Sequence, residues 1–306
     1  MIYNTVCLSG GGVKGISFIG ALEKLHEIKH ININMIENWI GTSIGAMICF
    51  LFSLDYSIEE IKEFIFSFNF IKLVPDIDIE NILLNHGIDT GDKMMLIIIS
   101  FLEEKYNKKD ITFKEHYEFT KKKLTIIGTN FTKGCEEVFN YELTPDMSVM
   151  TAIRISISIP IIFTPVLYND NYYVDGGVTN NFPINHCNMK TTIGIYIKNN
   201  NNNILENIFS IPLGCISIVG DVISTKDCSN YNVIQINNCD NELVNFELTL
   251  ERKQLIFNLG ITAVENFSKI SCIEKYNTIE TQTEEIINIE KKDMMTQTEE
   301  INNQNH

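Results

Sequence analysis

Along the chain, short runs of β-branched and aromatic residues alternate with longer stretches whose apolar positions recur every three or four residues. The strand pattern falls at 4–8, 37–41, 123–129, 172–175, 191–197 and 231–236. Helical patterns lie between: Ile16-Ser17-Phe18-Ile19-Gly20-Ala21-Leu22 follows the first strand, and Ala46-Met47-Ile48-Cys49-Phe50-Leu51 follows the second. Ser57-Ile58-Glu59-Glu60 has the form of a capping box, with Ile58, Ile61, Phe64, Ile65 and Phe68 along one helical face behind it. Strands separated by helices predict a mainly parallel sheet covered by helices, because parallel neighbours need a crossover connection.

Glycine punctuates this pattern at three places. Gly10-Gly11-Gly12-Val13-Lys14-Gly15 joins the first strand to the first helix, and consecutive glycines can turn several backbone N–H groups toward one anion. The spacing Gly10-x-Gly12-x-x-Gly15 also fits a dinucleotide fingerprint, which calls for an acidic residue ending a strand about twenty positions on. The chain instead runs there into Trp39-Ile40 and a second glycine block, so an anion-binding loop or a purely structural turn are the other readings. The second block, Gly41-Thr42-Ser43-Ile44-Gly45, places a serine where a strand turns sharply into a helix, the geometry of a nucleophile elbow. Gly41 and Gly45 allow close backbone approach, and the helix N-terminus favours negative charge developing at the hydroxyl. The third, Tyr172-Tyr173-Val174-Asp175-Gly176-Gly177-Val178, ends an apolar run in an acid on a glycine turn, which alone has the form of a hairpin.

In this order the three blocks closely resemble the patatin-like phospholipase family. Similarity continues through Ala152-Ile153-Arg154-Ile155-Ser156-Ile157-Ser158-Ile159-Pro160-Ile161-Ile162-Phe163-Thr164-Pro165 and through Asp175-Gly176-Gly177-Val178-Thr179-Asn180-Asn181-Phe182-Pro183. It covers 5–188 by motif and about 269 more loosely, and implies a three-layer α/β/α sandwich with a mainly parallel central sheet. The resemblance implies Ser43 as nucleophile, Asp175 as proton acceptor in a dyad without histidine, and an oxyanion hole in the loop Gly10, Gly11, Gly12, Lys14 and Gly15, centred on the amides around Gly11 and Gly12. Two positions depart from the family: Ser9 stands where Asp is frequent, and Lys14 where Arg is. Lys14 then either ties the loop down or contacts a lipid phosphate. The implied reaction is hydrolysis of a carboxylic ester of a lipid or phospholipid at a membrane or micelle surface, through an acyl-enzyme and without metal or cofactor. An ordinary aspartate, with a pKa near ~3.9, is a weak base for a serine unless burial raises it.

Two alternatives stand beside this. A conventional triad would recruit His186, although only a short segment separates it from Asp175; a lipid- or partner-binding module would keep the fold without catalysis. The apolar stretch Met94-Met95-Leu96-Ile97-Ile98-Ile99 is either core or part of a lid over 76–110 that meets acyl chains.

With 306 residues and 44% apolar content, the chain can bury a full core. A net charge of −15 counts against nucleic acid and against bulk attraction to anionic membranes, so membrane contact requires local patches. The eight cysteines include no Cys-x-x-Cys pair and suggest free thiols in a reducing compartment, with no metal site. The first strand begins almost at Met1 and no apolar run is long enough to span a bilayer. Together these predict an intracellular protein, soluble or peripheral, without signal peptide or transmembrane helix. Residues 271–306 carry −5 of the net charge and are predicted to be a disordered acidic tail. Thr281-Gln282-Thr283-Glu284-Glu285-Ile286 recurs there as Thr296-Gln297-Thr298-Glu299-Glu300-Ile301. The two Thr-Gln-Thr triplets resemble the anchor recognised by dynein light chain, a dimeric hub that adds peptides as edge strands; a duplication without function is the other reading.

Overall fold

A computed structural model describes residues 3–73, 84–198, 210–224, 228–237 and 247–269. The tail, with both Thr-Gln-Thr triplets, and residues 76–83 of the lid region lie outside them. Backbone contacts divide the chain into 1–263 and 264–306. The sheets and the site belong to the first unit.

The strands are β1 (Thr5–Leu8), β2 (Asn38–Thr42), β3 (Gly87–Asp89), β4 (Lys123–Asn130), β5 (Cys135–Phe139), β6 (Ile161–Phe163), β7 (Val166–Tyr168), β8 (Asn171–Asp175), β9 (Thr192–Lys198) and β10 (Asn232–Asn237). The main sheet has the order β10-β9-β1-β2-β4-β8-β7, with β5 also paired to β4. β10, β9, β1, β2 and β4 are mutually parallel, whereas β8 and β5 run antiparallel to β4 and β7 antiparallel to β8. β1 is buried along its whole length. This is why its Val6, Cys7 and Leu8 form a continuous apolar run rather than an alternating one. β3 and β6 pair separately. Each predicted strand is present within one residue of its expected limits.

The helices are α1 (Ile16–Glu27), α2 (Ile44–Ser53), α3 (Ile58–Ser67), α4 (Asp92–Tyr106), α5 (Phe113–Thr120), α6 (Val149–Ser156), α7 (Ser210–Ser224) and α8 (250–269). They cover both faces of the sheet, completing the α/β/α sandwich. α2 is apolar all round because it is buried all round, and Phe52 stacks on Trp39 of β2 with ring centroids 5.0 Å apart. α3 begins with the expected capping box: the Glu60 N–H donates to Ser57 Oγ at 3.1 Å, and the Ser57 N–H donates to Glu60 Oε2 at 2.7 Å. Ile58, Ile61 and Ile65 form its buried face. Residues 250–263 of α8 lie against α1 at backbone distance. An added Cβ at Gly260 would stand 1.9 Å from the Ser17 carbonyl oxygen, and one at Gly20 would stand 2.1 Å from that of Phe257.

Register sets the site. Thr42 is paired with Ile127 on one side of β4, and Asp175 with Gly128 on the other. Residues 43 and 175 therefore meet at nearly the same height across β4, although 132 positions separate them in the chain. Among the described residues no helix is long and apolar enough to cross a membrane, and no cluster of His, Cys, Asp or Glu is arranged to hold a metal ion.

Candidate active site

β2 delivers Ser43 to the N-terminus of α2 in a strained conformation, φ 55° and ψ −126°. The flanking glycines are there because backbone is where a side chain would go. A Cβ on Gly41 would lie 2.5 Å from the Gly45 carbonyl carbon, and one on Gly45 would lie 2.5 Å from the Ser9 carbonyl oxygen. Gly176 is equally constrained, with a Cβ there falling 2.3 Å from the Ile127 carbonyl oxygen.

The Ser43 hydroxyl donates directly to Asp175 Oδ2 at 2.7 Å, and both residues are buried. The other carboxylate oxygen, Oδ1, accepts the Gly177 N–H at 2.7 Å, so the Asp-Gly-Gly turn holds its own acid in place. Burial pushes the Asp175 carboxyl up to about 7, against the opposing pull of the Gly177 amide and the Ser43 hydroxyl. A carboxyl titrating there is a far stronger base than an ordinary aspartate. His186 is elsewhere: its Nε2 pairs with Glu136, which also accepts from Asn180 Nδ2 at 3.1 Å.

The glycine loop lies against Ser43, a Cβ on Gly10 falling 3.3 Å from Ser43 Cβ. Its members differ in what they bond and pack against. The Gly10 N–H is committed to the Asn181 carbonyl at 2.9 Å. Lys14 is 3% exposed, and its N–H closes a turn onto the Gly11 carbonyl at 3.2 Å. Its burial fits loop bracing rather than contact with a lipid phosphate. Gly15 packs on Ile44, where a Cβ would fall 2.4 Å from Cγ1. Among the described residues, the amides of Gly11, Gly12 and Val13 pair with no backbone acceptor outside the helices and strands. Gly12 has φ 57°, a left-handed conformation that suits glycine. Ser9 takes up the bracing at the position where Asp is frequent: its Oγ donates to the Gly10 carbonyl at 2.9 Å and accepts the Ile197 N–H at 3.0 Å.

Three residues without an assigned role in the sequence reading, Ser156, Ser158 and Arg154, surround the pair. Ser156, at the end of α6, accepts the Ser43 N–H at 2.9 Å and donates to the Ile127 carbonyl at 2.6 Å. Two residues on, the Ser158 carbonyl accepts the Asp175 N–H at 2.8 Å. One turn thus grips both members of the serine–aspartate pair. Arg154 grips the turn in its own right, donating to the Ser158 hydroxyl, to the Thr90 carbonyl at 2.8 Å and to the Thr164 carbonyl at 2.9 Å. All three lie in the Ala152–Pro165 block, whose pattern marked the segment without indicating what its polar members bond.

A family model of patatin-like phospholipases matches residues 6–187. The chain is 40% identical over 188 residues to a probable lipid hydrolase, 463L, of Invertebrate iridescent virus 6, a match covering 60% of this chain and 62% of that one. It is 32% identical over 278 residues to the uncharacterized protein R571 of Acanthamoeba polyphaga mimivirus, covering 85% of this chain and 92% of the other. Among solved structures, VipD from Legionella pneumophila superposes with a TM-score of 0.64 over 87% of this chain and 67% of its own, at 16% identity, a likeness of fold alone.

Proposed function

From the premise that the chain belongs to the patatin-like phospholipase family, we propose that it is a serine hydrolase of lipid carboxylic esters working through a Ser43–Asp175 dyad. The observation that carries this reading is the direct 2.7 Å bond from the Ser43 hydroxyl to Asp175. In the proposed reaction Ser43 Oγ attacks the ester carbonyl carbon while its proton passes to Asp175 Oδ2. The carbonyl oxygen becomes an oxyanion received by the amides of Gly11 and Gly12, where a single donor is typically worth about 3 kcal/mol. Collapse breaks the ester C–O bond, and the leaving alcohol takes the proton from Asp175. Water then attacks the acyl-enzyme, giving a proton to Asp175. Ser43 recovers that proton as the fatty acid departs. Fixed amides and a carboxyl pushed up to about 7 together support base catalysis without an imidazole. The substrate is presented at a membrane or micelle surface.

Fatty-acid release from mixed phosphatidylcholine micelles, in chelator, tests the reading. Ser43→Ala and Asp175→Asn are expected to lose at least about a thousandfold. His186→Ala is expected to keep activity, since its partner is Glu136. An inactive wild type, or loss in a folded His186→Ala protein, would refute the dyad.

A further inference from the structure

Where β5, β7 and β8 come together lies a cavity of about 330 Å³, and none of the residues lining it belongs to the ester site. Phe139, Tyr168 and Tyr173 give it aromatic walls. The Tyr173 ring stands 6.1 Å from that of Phe139 at 59° and 6.3 Å from that of Tyr168 at 61°. The three rings therefore follow one another as tilted facets rather than as a flat stack. Met147 adds a thioether side chain to the same lining.

Glu137, Asp146 and Lys133 bring charge to it. Glu137 is fixed in place: its Oε2 accepts from the Tyr173 hydroxyl at 3.0 Å and from Asn130 Nδ2 at 2.9 Å. Its Oε1 has no partner among the described residues. Asp146 and Lys133 are exposed, and among the described residues neither makes an ion pair. Two carboxylates against one ammonium leave the cavity net negative, in a chain of net charge −15, so it attracts cations. No cluster among the described residues is arranged to hold a metal ion. Aromatic and thioether walls also give nothing to the N–H groups of a primary ammonium. A quaternary ammonium suits them, because its charge is spread over methyl groups that take ring contact in place of acceptors.

We propose that this cavity is a binding site for a quaternary ammonium ion of choline size, with Tyr168 and Tyr173 as its aromatic walls and Glu137 Oε1 as its counter-charge. The volume is more than twice the ~150 Å³ of an apolar cavity that accepts a benzene ring, so the ion enters without displacing a side chain. The same ion occurs free or as the headgroup of a lipid, and the cavity recognises the chemistry common to both. The site is independent of the hydrolase reading, since no residue of the Ser43–Asp175 pair lines it.

The test is calorimetric titration of choline at fixed ionic strength, against 3,3-dimethylbutan-1-ol, its uncharged carbon isostere. All proteins carry Ser43→Ala, so that binding is read without any hydrolysis. Choline is expected to bind at least tenfold more tightly than the isostere. Glu137→Gln keeps an acceptor oxygen for Tyr173 and Asn130 but removes the charge, and Tyr168→Leu keeps apolar bulk but removes the ring. Each is expected to weaken choline by about tenfold, the order of a cation–π or charge contact at a partly buried site. Flotation with phosphatidylcholine and with phosphatidylglycerol vesicles distinguishes the sources. Phosphatidylcholine-selective binding that free choline displaces and Glu137→Gln weakens assigns the ion to a lipid headgroup. Vesicle binding indifferent to Glu137→Gln, beside choline binding that is sensitive to it, assigns a free ligand. Equal affinity for choline and its isostere, or indifference to both substitutions in both arms, or no binding in either, would overturn the proposal.

Discussion

Ser43 and Asp175 are each held in a state they would not adopt in the unfolded chain. A non-glycine residue at φ 55° costs about 1–3 kcal/mol, and it persists because β2 and α2 fix both neighbours of Ser43. For Asp175 the cost is electrostatic. The folded protein keeps its proton up to about pH 7, whereas the unfolded chain releases it near the ordinary 3.8, so between those values the folded state binds more protons. The contribution to stability is present below 3.8 and is lost as pH rises through about 7. Two outcomes are expected. As a base Asp175 must be ionised, so kcat/KM should rise about tenfold per pH unit on the acid side and level off near 7. Asp175→Asn, which keeps the shape without the charge, should match wild-type stability below 3.8 and exceed it above pH ~8 by up to about 4 kcal/mol. Urea unfolding of the two proteins across that range measures the difference; a gap that does not vary with pH would contradict the burial account.

The element that holds these residues together is α6 with the turn that leaves it. Its last residue, Ser156, bonds Ser43 and β4 simultaneously, and its hydroxyl has no exposure to water. Ser156→Ala strands the buried Ser43 N–H and Ile127 carbonyl, each costing about 1–3 kcal/mol where no water reaches. The expected result is a fall in kcat of about ten- to a hundredfold with KM little changed, because the elbow loosens while the rest of the site stays intact. A KM effect alone would show that Ser156 serves binding instead. Such a residue is hard to read from a chain, since its partner at Ser43 lies 113 positions away. The inner parallel strands β1, β2, β4 and β9 were legible for the opposite reason, since burial on both faces writes them as apolar-rich runs, while β10 at the edge alternates buried Ile234 and Ile236 with exposed Gln235 and Asn237. β3, β6 and β7 are only three residues each, and β5 carries Glu136 and Glu137 on a half-buried edge, so none leaves such a run. α8 carries its own apolar pattern, with Ile256 and Phe257 buried one turn before Gly260, and it closes on α1 where Gly20 and Gly260 let the backbones approach.

At the scale of the whole molecule, the sheet order turns three separate glycine blocks into one site. β1, β2 and β4 are adjacent, so the glycine loop after β1 and the elbow after β2 stand side by side, and β8 returns Asp175 against β4. Ser43 and Asp175 were legible because each is flanked by glycine where backbone approaches backbone, and the loop because its glycines make room for the side chains of Asn181, Ile197 and Ile44. Which amides remain available was not, since the commitment of Gly10 to Asn181 depends on a contact between distant turns. Every residue of this site lies before residue 200, whereas the repeated Thr-Gln-Thr triplets lie after 280. Chemistry and the dynein light chain binding that the triplets' resemblance implies should therefore separate cleanly. A chain ending at 270 is expected to keep wild-type ester hydrolysis and its dependence on Ser43. Binding to the hub, measured by calorimetry, should belong to the full chain. Two triplets can engage a dimeric hub at once, so either Gln282→Ala or Gln297→Ala alone should weaken binding by a hundredfold or more, on the order expected when avidity is lost. The double variant should abolish it. Binding that survives the double substitution, or that is equal in the truncated chain, would remove the triplets as the anchor, and hydrolysis lost on truncation would place part of the enzyme beyond residue 270.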